Sequence, residues 1–141
     1  MPNMSKQDQA RALVTGILNT VPVNSQSPVF VQADNPVMLI EDLLIEQPIG
    51  KVYASELIGE RIGRMRVTYS AATVAIVRCK PGAVFPGPSE FRKYAEDLQE
   101  SIQLQMAQLR VLKTVLNVAL DPEEFQQKGI MTAQLTVESA W

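Results

Sequence analysis

The stretch Met65–Lys80 reads MRVTYSAATVAIVRCK, and it decides the fold class. Val, Ile, Thr and Tyr dominate it, residues that suit a pleated, half-buried strand better than a helix. Val67 and Tyr69 alternate with Arg66 and Thr68, and Val74 and Ile76 alternate with Ala75 and Val77. The strongly apolar positions change parity near Ala71 and Ala72. That change predicts a β-bulge or a tight hairpin at Ser70–Thr73, and so two strands or one long bent strand.

Downstream, Lys80–Pro88 (KPGAVFPGP) holds three prolines and two glycines and reads as a loop. Ser89 is placed to cap the long helix that follows. Phe91, Tyr94, Ala95, Leu98, Ile102, Met106 and Leu109 recur at steps of three or four and form its apolar stripe. The pattern carries the helix to about Val111, with Leu116 as its outer limit. A short helix is signalled by Asp121 as N-cap, Pro122 at the first helical position and Glu123 and Glu124 in the first turn, with Gly129 ending it. In Ile130–Val137, Met131, Ala133, Leu135 and Val137 alternate with polar residues, which predicts a half-buried strand.

Upstream, Ser5–Thr20 reads as an amphipathic helix capped by Ser5, with Ala10, Leu13, Val14, Ile17 and Leu18 on one face. Pro22, Pro28, Pro36 and Pro48 interrupt the segment 21–64, which predicts an irregular region without long elements. Short strands are expected at Val29–Ala33 and Val37–Ile40, a further apolar run at Leu43–Ile45, and turns at Gly50, Gly59 and Gly63. The whole predicts one α+β domain over residues 1–141, a mixed or antiparallel sheet with an N-terminal helix and a long helix packed on it.

Composition narrows the chemistry. With 46% hydrophobic and 20% charged residues, the chain suits a globular domain and not a disordered one. No apolar run approaches the roughly 18 residues that span a bilayer, and no basic-then-apolar signal pattern opens the chain, which argues against membrane insertion and secretion. There is no histidine, the commonest general base and metal ligand, and one cysteine, Cys79, so no intrachain disulfide or thiolate zinc site. No cofactor is implied. Gly59–Gly63 lacks the Gly-Lys-Ser/Thr end of a phosphate loop. The neighbouring acids Glu41–Asp42 and Glu123–Glu124 point apart on any regular element. Cys79, between Arg78 and Lys80, reads as a packing residue with no histidine partner, and Ser70 and Ser89 read as turn or cap residues.

Charge is distributed unevenly along a chain of net charge −2. Asp34–Glu60 holds Asp34, Glu41, Asp42, Glu46, Glu56 and Glu60 against Lys51, whereas Arg61–Lys80 holds Arg61, Arg64, Arg66, Arg78 and Lys80 and no acid. The plain reading is two solvated regions that pair within the monomer. The sharper one is an acidic edge and a basic edge that meet between subunits, with Glu41, Asp42, Glu46, Arg61, Arg64 and Arg66 at the interface. A nucleic-acid groove at Arg61, Arg64 and Arg66 is a third, with Tyr69 as the one stacking aromatic beside them.

In this order the segments resemble the tail terminator, or neck, proteins of tailed bacteriophages, above all contractile-tailed ones. The N-terminal helix SKQDQARALVTGILNTV runs into a Pro-rich segment. The strand ending ATVAIVRCK is followed by a Pro/Gly loop and the helix PSEFRKYAEDLQESIQLQ. The strand MTAQLTVESAW follows a short acidic segment. The resemblance implies a homo-oligomeric ring, commonly a hexamer, at the head-proximal end of the tail. Such a ring ends tube growth and docks the tail to the head. Its neighbours would be the tail tube, sheath and head-completion or connector proteins, with DNA passing the channel without specific binding. It implies a virion location and no catalytic residue. The alternatives are a soluble bacterial adaptor or small-ligand-binding module, and a histidine-free enzyme using Glu56, Glu60 or Cys79.

Overall fold

The computed structural model describes residues 4–23, 29–34, 48–64, 66–82, 84–109 and 113–140. Helix α1 (Lys6–Leu18) begins where the Ser5 hydroxyl accepts the Asp8 N–H at 3.0 Å, and Val14, Ile17 and Leu18 form its buried face. Strand β1 (Phe30–Gln32) follows, and then β2 (Ile49–Ile62) and β3 (Arg66–Cys79), 14 residues each, paired antiparallel along their whole length. Helix α2 (Pro88–Gln108), strand β4 (Lys113–Leu120), helix α3 (Pro122–Lys128) and strand β5 (Met131–Ala140) complete the order. The sheet runs β1-β2-β3-β5-β4, with β1 parallel to β2 and every other pair antiparallel. It is an α+β fold on a single mixed sheet, with α1 and α2 packed on one face.

That face is built by alternation. Ala75, Val77 and Cys79 of β3 and Met131, Ala133, Leu135 and Val137 of β5 point to the helices, with Val52 of β2 beside them. Phe91, Tyr94, Leu98, Ile102 and Met106 of α2 cover them, all under 6% exposed. Phe85 pins the preceding loop into the same core, its ring edge-on to Phe91 at 5.6 Å and tilted against Tyr94 at 5.0 Å. Burying an apolar side chain of this size contributes about 1.5–3 kcal/mol.

Several expectations need correction. The prolines do interrupt the chain, but Pro48 lies just before β2, and the proline-free run after it forms one of the two longest strands. Gly50 and Gly59 therefore lie inside a strand rather than in turns, whereas Gly63, at φ +73°, sits in the hairpin turn as expected. The irregularity near Ala71 and Ala72 belongs to the partner strand. Ala54 pairs with Thr73 and Glu56 with Ala72, so Ser55 is the extra residue and β3 runs unbroken. Val67 and Tyr69 fall on the helix side of β3, while Val74 and Ile76 fall on the other, which produced the change of parity.

Helix α2 starts two residues earlier than a Ser89 cap predicts. Gly87 is the extended N-cap and Pro88 is the first helical residue, where its fixed φ and missing N–H cost nothing. The helix stops at Gln108, and Leu109 is its C-cap, 51% exposed rather than part of the buried stripe. Lys113–Leu120 form β4, whose first half falls within the outer limit of Leu116 that the helical pattern allows. Strand β5 extends past Val137 to Ala140, and Ser70 lies within β3, opposite Ala140, not in a turn. Helix α3 matches its signals, with Asp121 accepting the Glu124 N–H at 3.1 Å and Gly129 at φ +67°. The strand expected at Val37–Ile40, the run at Leu43–Ile45 and the acids Glu41, Asp42 and Glu46 lie outside the described residues.

Candidate assembly surface: the β2–β3 arm

The sheet is not rectangular. Pairing of β3 with β5 stops at Ser70–Ala140, and β1 covers β2 only at Gly50–Val52. Beyond those limits β2 and β3 continue together to the turn after Ile62. Among the described residues, 56–64 and 66–69 therefore form a two-stranded arm beyond the Ser55 bulge.

The arm places unusual side chains in solvent. Leu57, Val67 and Tyr69 share the helix-side face at 40%, 48% and 42% exposure, and Ile58 lies on the reverse at 38%. Tyr69 lies across Gly59, its cross-strand partner, and Lys6 Nζ stands 5.5 Å from its ring centre. An isolated two-stranded ribbon is marginal in water, so an arm this apolar gains stability by being covered.

Arg61, Arg64 and Arg66 are gathered at the arm's end and are exposed. Among the described residues none of the three forms an ion pair. Glu56 and Glu60 lie on the same arm, Glu60 one diagonal step from Arg66. Glu56 and Glu60 of the acidic block and Arg61, Arg64 and Arg66 of the basic block therefore share one hairpin, while Glu41, Asp42 and Glu46 lie outside the described residues. The two groups on the hairpin meet because it folds the end of one block against the start of the other. Asp34 is held 3.2 Å from Arg11, and Arg78 is 3.3 Å from Glu124, so these two charges are satisfied inside the subunit.

The remaining candidates have structural explanations. Glu123 is exposed, while Glu124 is half-buried between Arg78 and the Thr132 hydroxyl, which donates to it at 2.8 Å. Cys79 is fully buried with its Sγ 3.2 Å from the Lys80 carbonyl oxygen, and burial pushes the thiol up to about 11. It holds its proton at neutral pH and lacks the thiolate a nucleophile needs. Ser89 is exposed in the first turn of α2. Among the described residues no three Cys, Asp or Glu side chains are grouped to hold a metal ion, and no helix is long and apolar enough to cross a membrane.

A cavity of about 440 Å³ opens at the opposite end of the sheet, between the start of α2 and α3, with Phe91, Leu120, Pro122, Phe125 and Met131 in its wall. No sequence motif marks it, because its walls come from four separate elements. Compared with known proteins, the chain matches no family description and no curated protein.

Proposed function

We propose that this chain is a structural subunit that works through binding surfaces, assembling by its β2–β3 arm into a closed ring. The arm carries the reading. It leaves Leu57, Ile58, Val67 and Tyr69 exposed on a ribbon that lacks a covering layer among the described residues, and it ends in three arginines without ion partners there. Apolar area beside unpaired charge is what a surface needs to bind and to fix its register. A contact between such a protrusion and a different patch on the next copy is heterologous, and heterologous contacts close into rings when the rotation allows.

The resemblance to tail terminator and neck proteins supplies the setting. The ring, a hexamer, would sit at the head-proximal end of a contractile phage tail, end tube growth and join the tail to the head-completion or connector proteins. Acidic residues such as Glu41, Asp42 and Glu46 would suit a channel that passes DNA, because like charge keeps the duplex from adhering. The test is to reverse Arg64 and Arg66 to Glu and follow assembly by analytical ultracentrifugation at several salt concentrations. The reading expects weaker assembly of the variant and, for the unaltered chain, weakening as salt rises. Assembly indifferent to both would contradict it. The apolar cavity favours the second reading, a small-ligand-binding module, which predicts a monomer or dimer.

A further inference from the structure

Among the described residues, two features have no occupant, and they lie at opposite ends of β3. The arm surrounds its first residues. The cavity adjoins Met131, which pairs with Cys79 at the strand's last residue. At the usual strand rise the two ends are about 43 Å apart, so the arm cannot fill the cavity of its own subunit.

They are complementary in kind. The arm offers Val67 and Tyr69 as exposed apolar groups, with Arg61 on the same face and Arg64 in the adjoining turn, while Arg66 lies on the reverse face. The cavity offers an apolar wall that includes Phe91, Phe125 and Met131. Asp121 lines it, and Glu123 follows the lining residue Pro122; both acids are exposed. Arg92 also lines the cavity, so the acidic side is the α3 side, and that is where the arginines would lie. Glu124 is already engaged with Arg78 and is not counted.

We infer that the arm of one subunit docks in the α2–α3 cavity of the next, Val67 and Tyr69 against the apolar wall and Arg61 and Arg64 against the α3 acids. This contact rests on the ring reading above and names its two surfaces. It is head-to-tail, with the same two patches used once by every copy, so a closed ring leaves neither patch free.

The test uses the full chain with the photo-cross-linker p-benzoylphenylalanine in place of Val67, irradiated under assembling conditions and mapped by peptide mass spectrometry. The expected result is an intermolecular cross-link to α3 or the start of α2. Alongside it, Arg61→Glu with Arg64→Glu should raise the concentration for half-assembly at least tenfold. Glu123→Arg should do the same, and combining the three should recover most of the loss. Asp121 is left unchanged because it caps α3. Assembly with cross-links mapped elsewhere and no recovery in the triple variant overturns this contact while leaving the ring reading intact. A chain that stays monomeric at every concentration overturns both.

Discussion

Asn19 satisfies both backbone groups of Phe30. Its Nδ2 donates to the Phe30 carbonyl oxygen at 2.9 Å, and its Oδ1 accepts the Phe30 N–H at 2.9 Å. Strand β1 has three residues and a β partner on one side only, so its outer edge would otherwise carry unpaired polar groups next to the core. The amide one residue past α1 closes that edge and joins the helix to the sheet. Arg11 helps further along, donating to the Ala33 carbonyl oxygen at 2.9 Å.

Asn19→Ala should therefore destabilise the fold by about 1–3 kcal/mol, the usual cost of leaving partly buried donors and acceptors unpaired. Asn19→Asp should recover only part of this, because a carboxylate cannot donate to the Phe30 carbonyl. Urea denaturation of the three proteins measures the effect. An unchanged midpoint for the alanine variant would mean that β1 does not depend on this clamp.

Gly50 pairs with Phe30, and a Cβ placed there would stand 2.4 Å from the Phe30 ring. The ring is almost fully buried and cannot swing into solvent without leaving the core. Gly50→Ala should cost about 1–3 kcal/mol through overpacking. Thermal unfolding would show it, and a variant as stable as the parent would mean that the ring lies elsewhere.

Along α2 the buried and exposed positions give a paired prediction. Leu98 is 0% exposed and Leu109 is 51% exposed. Leu98→Ala should cost about 2–5 kcal/mol. Leu109→Ala should stay within about 0.5 kcal/mol, as surface changes generally do. Equal losses at the two sites, read from denaturant midpoints, would contradict the end assigned to the helix.

The apolar stripe of α2 does not mark the helix's own end. Its stripe is strictly periodic, and Val111, Leu112 and Leu116 continue helical spacing by chance of composition. Only the alternation of Thr114, Leu116 and Val118 marks β4, and that strand lies at the sheet edge, where little burial enforces a pattern. Helix α3 was legible throughout because its caps are local chemistry: Asp121, Pro122 and Gly129 each act within one turn. The arm was not legible. Its length depends on where β1 and β5 stop, a tertiary fact, and the Ser55 bulge leaves no mark in β2 itself. The charge blocks were visible, but sequence order could not show that a hairpin would fold one against the other.

Alkaline pH should expose the two buried titratable groups of the core. Burial raises the Cys79 thiol from 9.0 to about 11, and burial, with the nearby Cys79 adding to it, also raises the Tyr94 phenol. The folded state then holds these protons longer than the unfolded one. For Cys79 the stability of the protonated form is complete below pH 9 and is lost as pH rises from 9 through 11. Denaturation profiles between pH 8 and 11 should fall more steeply for the parent than for Cys79→Ala. Parallel profiles would show that the thiol is accessible to water in the folded state.

If isolated subunits carry what they need to form a closed ring, negative-stain electron microscopy of the purified chain, with copy number counted by native mass spectrometry, should show discrete rings of one fixed copy number, six on the terminator resemblance, lost when Arg64 and Arg66 are reversed. A monomer at every concentration, or particles with open ends and no fixed number, would contradict the ring reading.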